Sequence, residues 1–355
     1  MSTTSTLLEA TDESAALEEL HRLGCTDGLP VVIPTPERVA AMVLATGLDG
    51  SLSLGSMGPA LGDATVNKVA ACAVMAGCLP DHAPVVIAAV QAVMDPTFDL
   101  TEMQATTHAT APMIIINGPA RTQLDIACSY GALGPGPRAN ASIGRALRLA
   151  MINIGGGRAG TSDMALLGHP GKFAMCIGED EEASPFEPLH VARGMADGSS
   201  AVTVIGVDAP QSVMGVVDAG DPTSSARLLT SLASGFANVT TNNAALRNGQ
   251  AVVILNPDHA NLLAGQGHDR SSIAAGIAER AVVTGAQLAE TAGLMGSIDP
   301  DIALQCFADP DDILVLVGGG GGLYSVVAPT WCAGPHRNRA VTVDVPMDLA
   351  CEIPG

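Results

Sequence analysis

The sequence predicts an α/β protein built as two related α/β halves with glycine-rich loops at strand ends. Three observations carry that prediction. Apolar runs of strand length alternate with helical stretches along the chain. Several runs end in Gly, Asn or Pro, where α/β sheets place their sites. A faint echo joins the halves: "TT", a polar stretch, an apolar strand and "NGPA" at 106–120 return as "TTNN", a polar stretch, a strand and "NPDHA" at 240–260. The strand at 313–317, ending in glycines, reads as a third copy. We read the echo as an internal duplication. The turn-rich ARGMADGSS marks the boundary between a domain 1–197 and a domain 198–355.

Taken in order, 13–23 has helical spacing with acids early. "DGLPVVIPTPERVAAM" reads as a turn, a short strand and a helix capped by Thr35 with Pro36 at its first position. The helices 65–77 and 81–94 are apolar on nearly every face and are predicted to be buried. A strand at 113–116 ends in Asn117-Gly118-Pro119. A Gly/Pro loop leads to a helix at 140–153, and a second glycine loop fills 155–163. Strands follow at 171–177 and 200–207, a helix at 222–235 and a strand at 251–255. Helices at 257–265, 270–281 and 284–293 lead to the strand at 313–317, and "AVTVDV" is the last strand.

Composition narrows the function. Of 355 residues, 47% are apolar but only 2% aromatic, so aliphatic side chains must fill the core. A net charge of −20 repels phosphate backbones and anionic lipid, which argues against nucleic acid and membrane partners. The first residues show no basic and apolar leader, and none of the eight cysteines forms a CxxC pair. A cytoplasmic protein with free thiols is the expectation. Apolar helices with few aromatics suggest a homo- or hetero-oligomer.

Four stretches could carry chemistry. "GHPGKFAMCIGEDEEASPFEPLH" sets Lys172, one of two lysines, near Cys176. On a strand the two share a face, roughly 13 Å apart by the rise per residue. Charged, Lys172 would favour a thiolate at Cys176; desolvated, it could serve as a base. Glu179, Glu182 and His190 follow as proton carriers. The same residues also read as a core cysteine, a surface lysine and a solvated acidic loop. The second stretch, "YGALGPGPRANASIGRALRLA", places Gly136 and Arg138 ahead of a helix that Asn140 could cap, a setting for a carboxylate or phosphate. It lacks the residues of a P-loop or a dinucleotide fingerprint. The third, Gly318 to Gly322, would let backbone approach a ligand at Gly319, with Tyr324 beyond. The fourth is histidine: His108 precedes a strand, but no local spacing announces a metal site.

Together "DGLPVVIPTPERVAAM", "VNKVAACAVMAGC", "QATTH", "LGPGPRANASIGRALRL", "GHPGKFAMCIGEDEEASPFEPLHVARG" and "AVTVIGV" resemble a bacterial family whose members accompany, or are fused to, proteins with a Cys/Sec-Gly-Ser-Cys (UGSC) motif. The resemblance implies a subunit of a thiol- or selenol-dependent enzyme, with the redox motif on a UGSC-type partner, since this chain has no CGSC.

The leading expectation is an enzyme, or enzyme subunit, acting on a small anionic, carboxylate-bearing metabolite by cysteine-dependent chemistry. Cys176 would be nucleophile or reductant, Lys172 would stabilise negative charge, and Glu179, Glu182 or His190 would move the proton. Arg138, Asn140, His108, Gly136, Gly319 and Tyr324 would bind substrate. Reductive cleavage and hydrolysis or elimination both stay open, and no cofactor is implied. A non-catalytic scaffold for a redox partner is one alternative. A metal-dependent hydrolase or lyase, with ligands drawn from His108, His190, Cys176 and a glutamate, is the other.

Overall fold

A computed structural model describes residues 7–247, 249–291, 298–331 and 338–347. Cys332 and Cys351 lie outside the described residues. The first half runs α1 (Glu13–Arg22), α2 (Pro36–Thr46), β1 (Ser53–Met57), β2 (Gly62–Thr65), α3 (Val66–Ala76), α4 (Ala83–Met94), α5 (Leu100–Ala105), β3 (Ala111–Asn117), α6 (Ala120–Gln123), α7 (Arg138–Asn153), β4 (Cys176–Gly178), α8 (Leu189–Ala192) and β5 (Ala201–Val207). The second runs β6 (Gln211–Met214), α9 (Ser224–Ser234), α10 (Asn242–Leu246), β7 (Ala251–Leu255), α11 (Pro257–Gly265), α12 (Arg270–Arg280), β8 (Val282–Thr284), α13 (Gly285–Thr291), β9 (Ala303–Gln305), β10 (Ile313–Val317), β11 (Tyr324–Pro329) and β12 (Val341–Asp344).

Two four-stranded sheets form the centre, in the orders β12-β5-β3-β4 and β10-β7-β11-β6. Each has one parallel pair, β3 with β4 and β7 with β10, and its other pairings are antiparallel. Read from the β4 edge and from the β10 edge, the two sheets share order and strand sense. The period-2 geometry of a strand divides the core. Ile114 and Ile116 of β3 face α3, α4 and α7, whereas Ala111, Met113 and Ile115 face the second sheet. Val253 and Leu255 of β7 likewise face the second half's helices, while Val252 and Ile254 face the first sheet. The layers are therefore helix, sheet, sheet, helix. Strands covered on both faces need no polar alternation, which is why β3 and β7 read as unbroken apolar runs.

The general α/β class and the buried helices agree with the sequence. Thr35 accepts from the Arg38 N–H and starts α2, with Pro36 at its first position. Three expectations need correction. Residues 31–33 form no strand. The strand expected at 171–177 is confined to Cys176–Gly178: Pro170 opens a 3-10 turn, and the Gly171 N–H donates to Nδ1 of His169 at 3.2 Å. The boundary at 197/198 falls within the first half, because β5 still pairs inside the first sheet and the chain changes sheets just after it, where the Asp208 N–H meets the Pro329 carbonyl at 2.8 Å. One edge strand of each sheet follows a strand of the other sheet: β6, after β5, joins the second sheet, and β12, after β11, returns to the first. Among the described residues no helix is long and apolar enough to cross a membrane.

Candidate functional site

The expected catalytic group does not assemble. Cys176 is 4% exposed and lies among Ile114, Ile116 and the helices of the first half. Burial pushes its thiol far above the ordinary value, and the neighbouring Cys78 adds to the shift. A sulfur sealed in hydrocarbon is a packing group. Lys172 is off the strand, and its Nζ is held by Asp163 at 2.7 Å. Burial lowers its pKa, partly offset by Asp163. It precedes β4, whereas the acidic loop follows β4, so the two lie at opposite ends of that strand. His108 also stands away from that loop, ahead of β3, with Nε2 2.6 Å from Oδ1 of Asp208.

Three further candidates hold the fold. Glu179 is wholly buried; one oxygen accepts from the Asn117 amide and the Leu189 N–H, both at 2.6 Å, and the other pairs with Arg270 of α12. Arg138 caps the end of α3, donating through Nε and Nη2 to the Gly77 carbonyl at 3.2 and 3.0 Å. Gly136 is an exposed turn residue before α7. His190 is 1% exposed, and neither ring nitrogen has a partner among the described residues. Cys176, Lys172, Glu179, His190, His108, Arg138 and Gly136 thus do not form one centre. Among the described residues no three His, Cys, Asp or Glu side chains are grouped to hold a metal.

A different group does converge, where the C-terminal ends of β4 and β10 meet. Asn140, buried in α7, accepts from the Ala127 N–H at 2.8 Å and donates to the carbonyls of Ala127 at 2.9 Å and Cys176 at 3.2 Å. It pins 127–128 beside β4 rather than binding substrate. The Gly178 N–H then meets the Ala127 carbonyl at 3.1 Å, the Gly319 N–H the Cys128 carbonyl at 2.8 Å and the Asp180 N–H the Val317 carbonyl at 2.8 Å. The Gly/Pro loop, the acidic loop and the glycine loop, far apart in sequence, therefore share one place.

Cys128 is the thiol there, and it is half-buried. Burial raises its pKa; Asp180 adds to that, Arg121 opposes it by charge, Glu182 raises it further and a hydrogen bond from Arg121 lowers it. The net shift is upward, so the resting group is a thiol. Arg121 is 5% exposed and donates to Glu181 at 3.0 Å and to both oxygens of Glu182 at 3.0 and 2.8 Å. Glu182 is 65% exposed, and its pKa is lowered mainly by the Arg121 hydrogen bond. A Cβ placed on Gly178 would lie 3.4 Å from Cys128 Cβ and 3.5 Å from Arg121 Cδ, so both side chains leave the backbone close to that glycine.

The glycine loop completes the group. A Cβ at position 320 would sit 2.0 Å from Cε1 of Tyr130, so only glycine lets that ring lie on the loop. Position 321 faces the carboxylate of Asp258. Among the described residues the amide N–H groups of Gly320, Gly321 and Gly322 have no acceptor. Tyr324, by alternation with Val326 and Ala328, stands at the same sheet end on the face toward the first sheet. Of the expected residues, Glu182, Gly319 and Tyr324 belong here. Cys128, Arg121, Asp180 and Tyr130 were missed, although Cys128 directly precedes the Gly/Pro loop and Arg121 follows "NGPA".

A wide groove lies elsewhere. A groove of about 1030 Å³ runs between α8, α12 and the free edge of β10, past Phe186, Leu189, His268 and Leu314. Its arginines are engaged: Arg270 with Glu179 and the carbonyls of Glu187 and Val315, Arg193 with Thr342 and the Ala340 carbonyl. It contains no cysteine, so reactive chemistry is better sought at Cys128. No family model, curated protein or solved structure matches the chain.

Proposed function

We propose that the protein is an enzyme that acts on a small molecule through Cys128, at the sheet ends where the glycine loop and the acidic loop meet. The convergence of a half-buried thiol, a carboxylate and a buried guanidinium at one point supports this reading. Asp180 serves as the base that takes the thiol proton. The open amides of Gly320, Gly321 and Gly322 suit an oxygen that gains negative charge when sulfur adds to a carbonyl or imine carbon. This favours hydrolysis or elimination over reductive cleavage. The test is to incubate a small-molecule extract with wild type and with C128A. A compound consumed by wild type and spared by C128A supports the reading; equal consumption by both, or by neither, overturns it.

A second reading, as subunit of an assembly with a UGSC-type partner, draws on one observation. Leu166, Leu167 and Phe173 expose 79%, 97% and 47% of their surface on neighbouring turns. Co-purification with a partner, lost in L166D/L167D, tests it. We also infer that the two sheets descend from one duplicated unit, because β12-β5-β3-β4 and β6-β11-β7-β10 correspond in order and sense.

A further inference from the structure

We propose that the groove beside α8 is a second ligand site, and that it takes a small monocarboxylate with an aliphatic body, its carboxylate on Arg193. The inference stands apart from the reading of Cys128. The groove, of about 1030 Å³, has room for such a molecule, and Arg193 lines it.

Arg193 carries the argument. Its Nε donates to Oγ1 of Thr342 at 2.6 Å and its Nη2 to the Ala340 carbonyl at 2.9 Å. Both acceptors are uncharged, so they fix the guanidinium without balancing it. Thr342 is itself held, its Oγ1 lying 2.9 Å from that of Thr203. Among the described residues no carboxylate comes within ion-pair distance of Arg193. Burial pulls its pKa down, and no neighbouring charge offsets that. A desolvated cation without a counter-ion is costly. The chain has 36 acids against 16 lysines and arginines, yet none of the described acids is spent here. Nη1 has no acceptor among the described residues, and it is not one of the sealed polar atoms. That side of the fork is left for a ligand, and a carboxylate matches it with two parallel hydrogen bonds.

The other groups set the ligand's charge and body. Arg270 also lines the groove, but Glu179 balances it. Asp269 is spent on α12, accepting from the N–H and Oγ of Ser272. Glu187 and Asp311 remain, both exposed. One unmatched positive charge with two acids in the same groove suits a single negative charge and disfavours a phosphate dianion. Phe186, Leu189, Ala192, Ile313 and Leu314 supply apolar wall for the rest of the molecule.

The experiment titrates the full chain with sodium octanoate by calorimetry, with octan-1-ol, octylammonium chloride and inorganic phosphate as comparisons. One octanoate is expected per chain. Octanol, lacking the charge, should bind about tenfold more weakly, and neither octylammonium nor phosphate should displace octanoate. R193Q keeps a donor for β12 and should lose about tenfold in octanoate affinity, with the urea midpoint checking that it is folded. S271W sets a ring in the groove from an exposed position of α12 and should block octanoate while Arg193 stays; it decides the matter if R193Q does not fold. Absence of octanoate binding, equal binding of octanol or octylammonium, displacement by phosphate at equal concentration, or unchanged affinity in folded R193Q or in S271W overturns the inference. None of these results touches the C128A comparison, which judges the Cys128 reading separately.

Discussion

Arg270 of α12 reaches Glu179 at the end of β4, so one ion pair with a wholly buried carboxylate joins the two halves of the molecule. The Asn117 amide and the Leu189 N–H complete the shell of that carboxylate. Removing the guanidinium strands a buried charge. R270A should lose about 3–5 kcal/mol, read as a fall in the urea midpoint, whereas the paired change E179Q/R270M should recover much of that loss. Equal losses in the two variants would refute the account.

Cys176 gives a contrasting expectation. Sealed in the core with a thiol pushed well above its ordinary value, it should resist alkylation in the native protein and react only after unfolding. C176A should cost about 1 kcal/mol and leave Cys128 labelling unchanged. Peptide mapping after brief iodoacetamide treatment checks both points.

Gly320 should tolerate a methyl group in folding but not in function. In G320A the new Cβ meets the Tyr130 ring at 2.0 Å, and that ring, being exposed, can swing aside. Thermal stability should change little, while any Cys128-dependent turnover should fall. The double variant G320A/Y130A should retain the stability and show whether the lost turnover follows the tyrosine.

Asp27 supplies a pH test at the other face of the first half. Burial raises its pKa, but the hydrogen bonds and charge of Arg145 and the Leu29 N–H outweigh that and leave it below the ordinary aspartate value. Its carboxylate meets Arg145 at 2.7 and 2.8 Å, tying 27–30 to α7. A depressed carboxylate contributes stability that is complete above its unfolded pKa and is lost as pH falls through the folded one. Wild type should therefore lose more stability than D27N as pH drops from about 5 to below 3.8, measured by urea unfolding across that range.

Much of the fold was legible because its signals are local. The Thr35-Pro36 start of α2, the apolar runs of β3, β7 and β10 and the all-round apolar faces of α3 and α4 each follow from neighbouring side chains and backbone preference. β4 was drawn too long because Pro170 and Gly171 turn the chain where apolar content alone suggests a strand. β6 and β11 went unread because turn-rich flanks hide their pattern, and pairing across the crossover supplies their partners.

The site divides in the same way. By itself the sequence determined which loops have unusual chemistry: the Gly/Pro stretch, the acidic run and the five glycines. Only the tertiary structure decided which thiol they serve. Cys176 and Cys128 are both cysteines near acidic residues in sequence, but the pleat turns the first into hydrocarbon, while the grip of Asn140 on Ala127 carries the second to the sheet ends. The direction of a side chain and the meeting of distant loops depend on register and packing between elements, and no local sequence pattern encodes those.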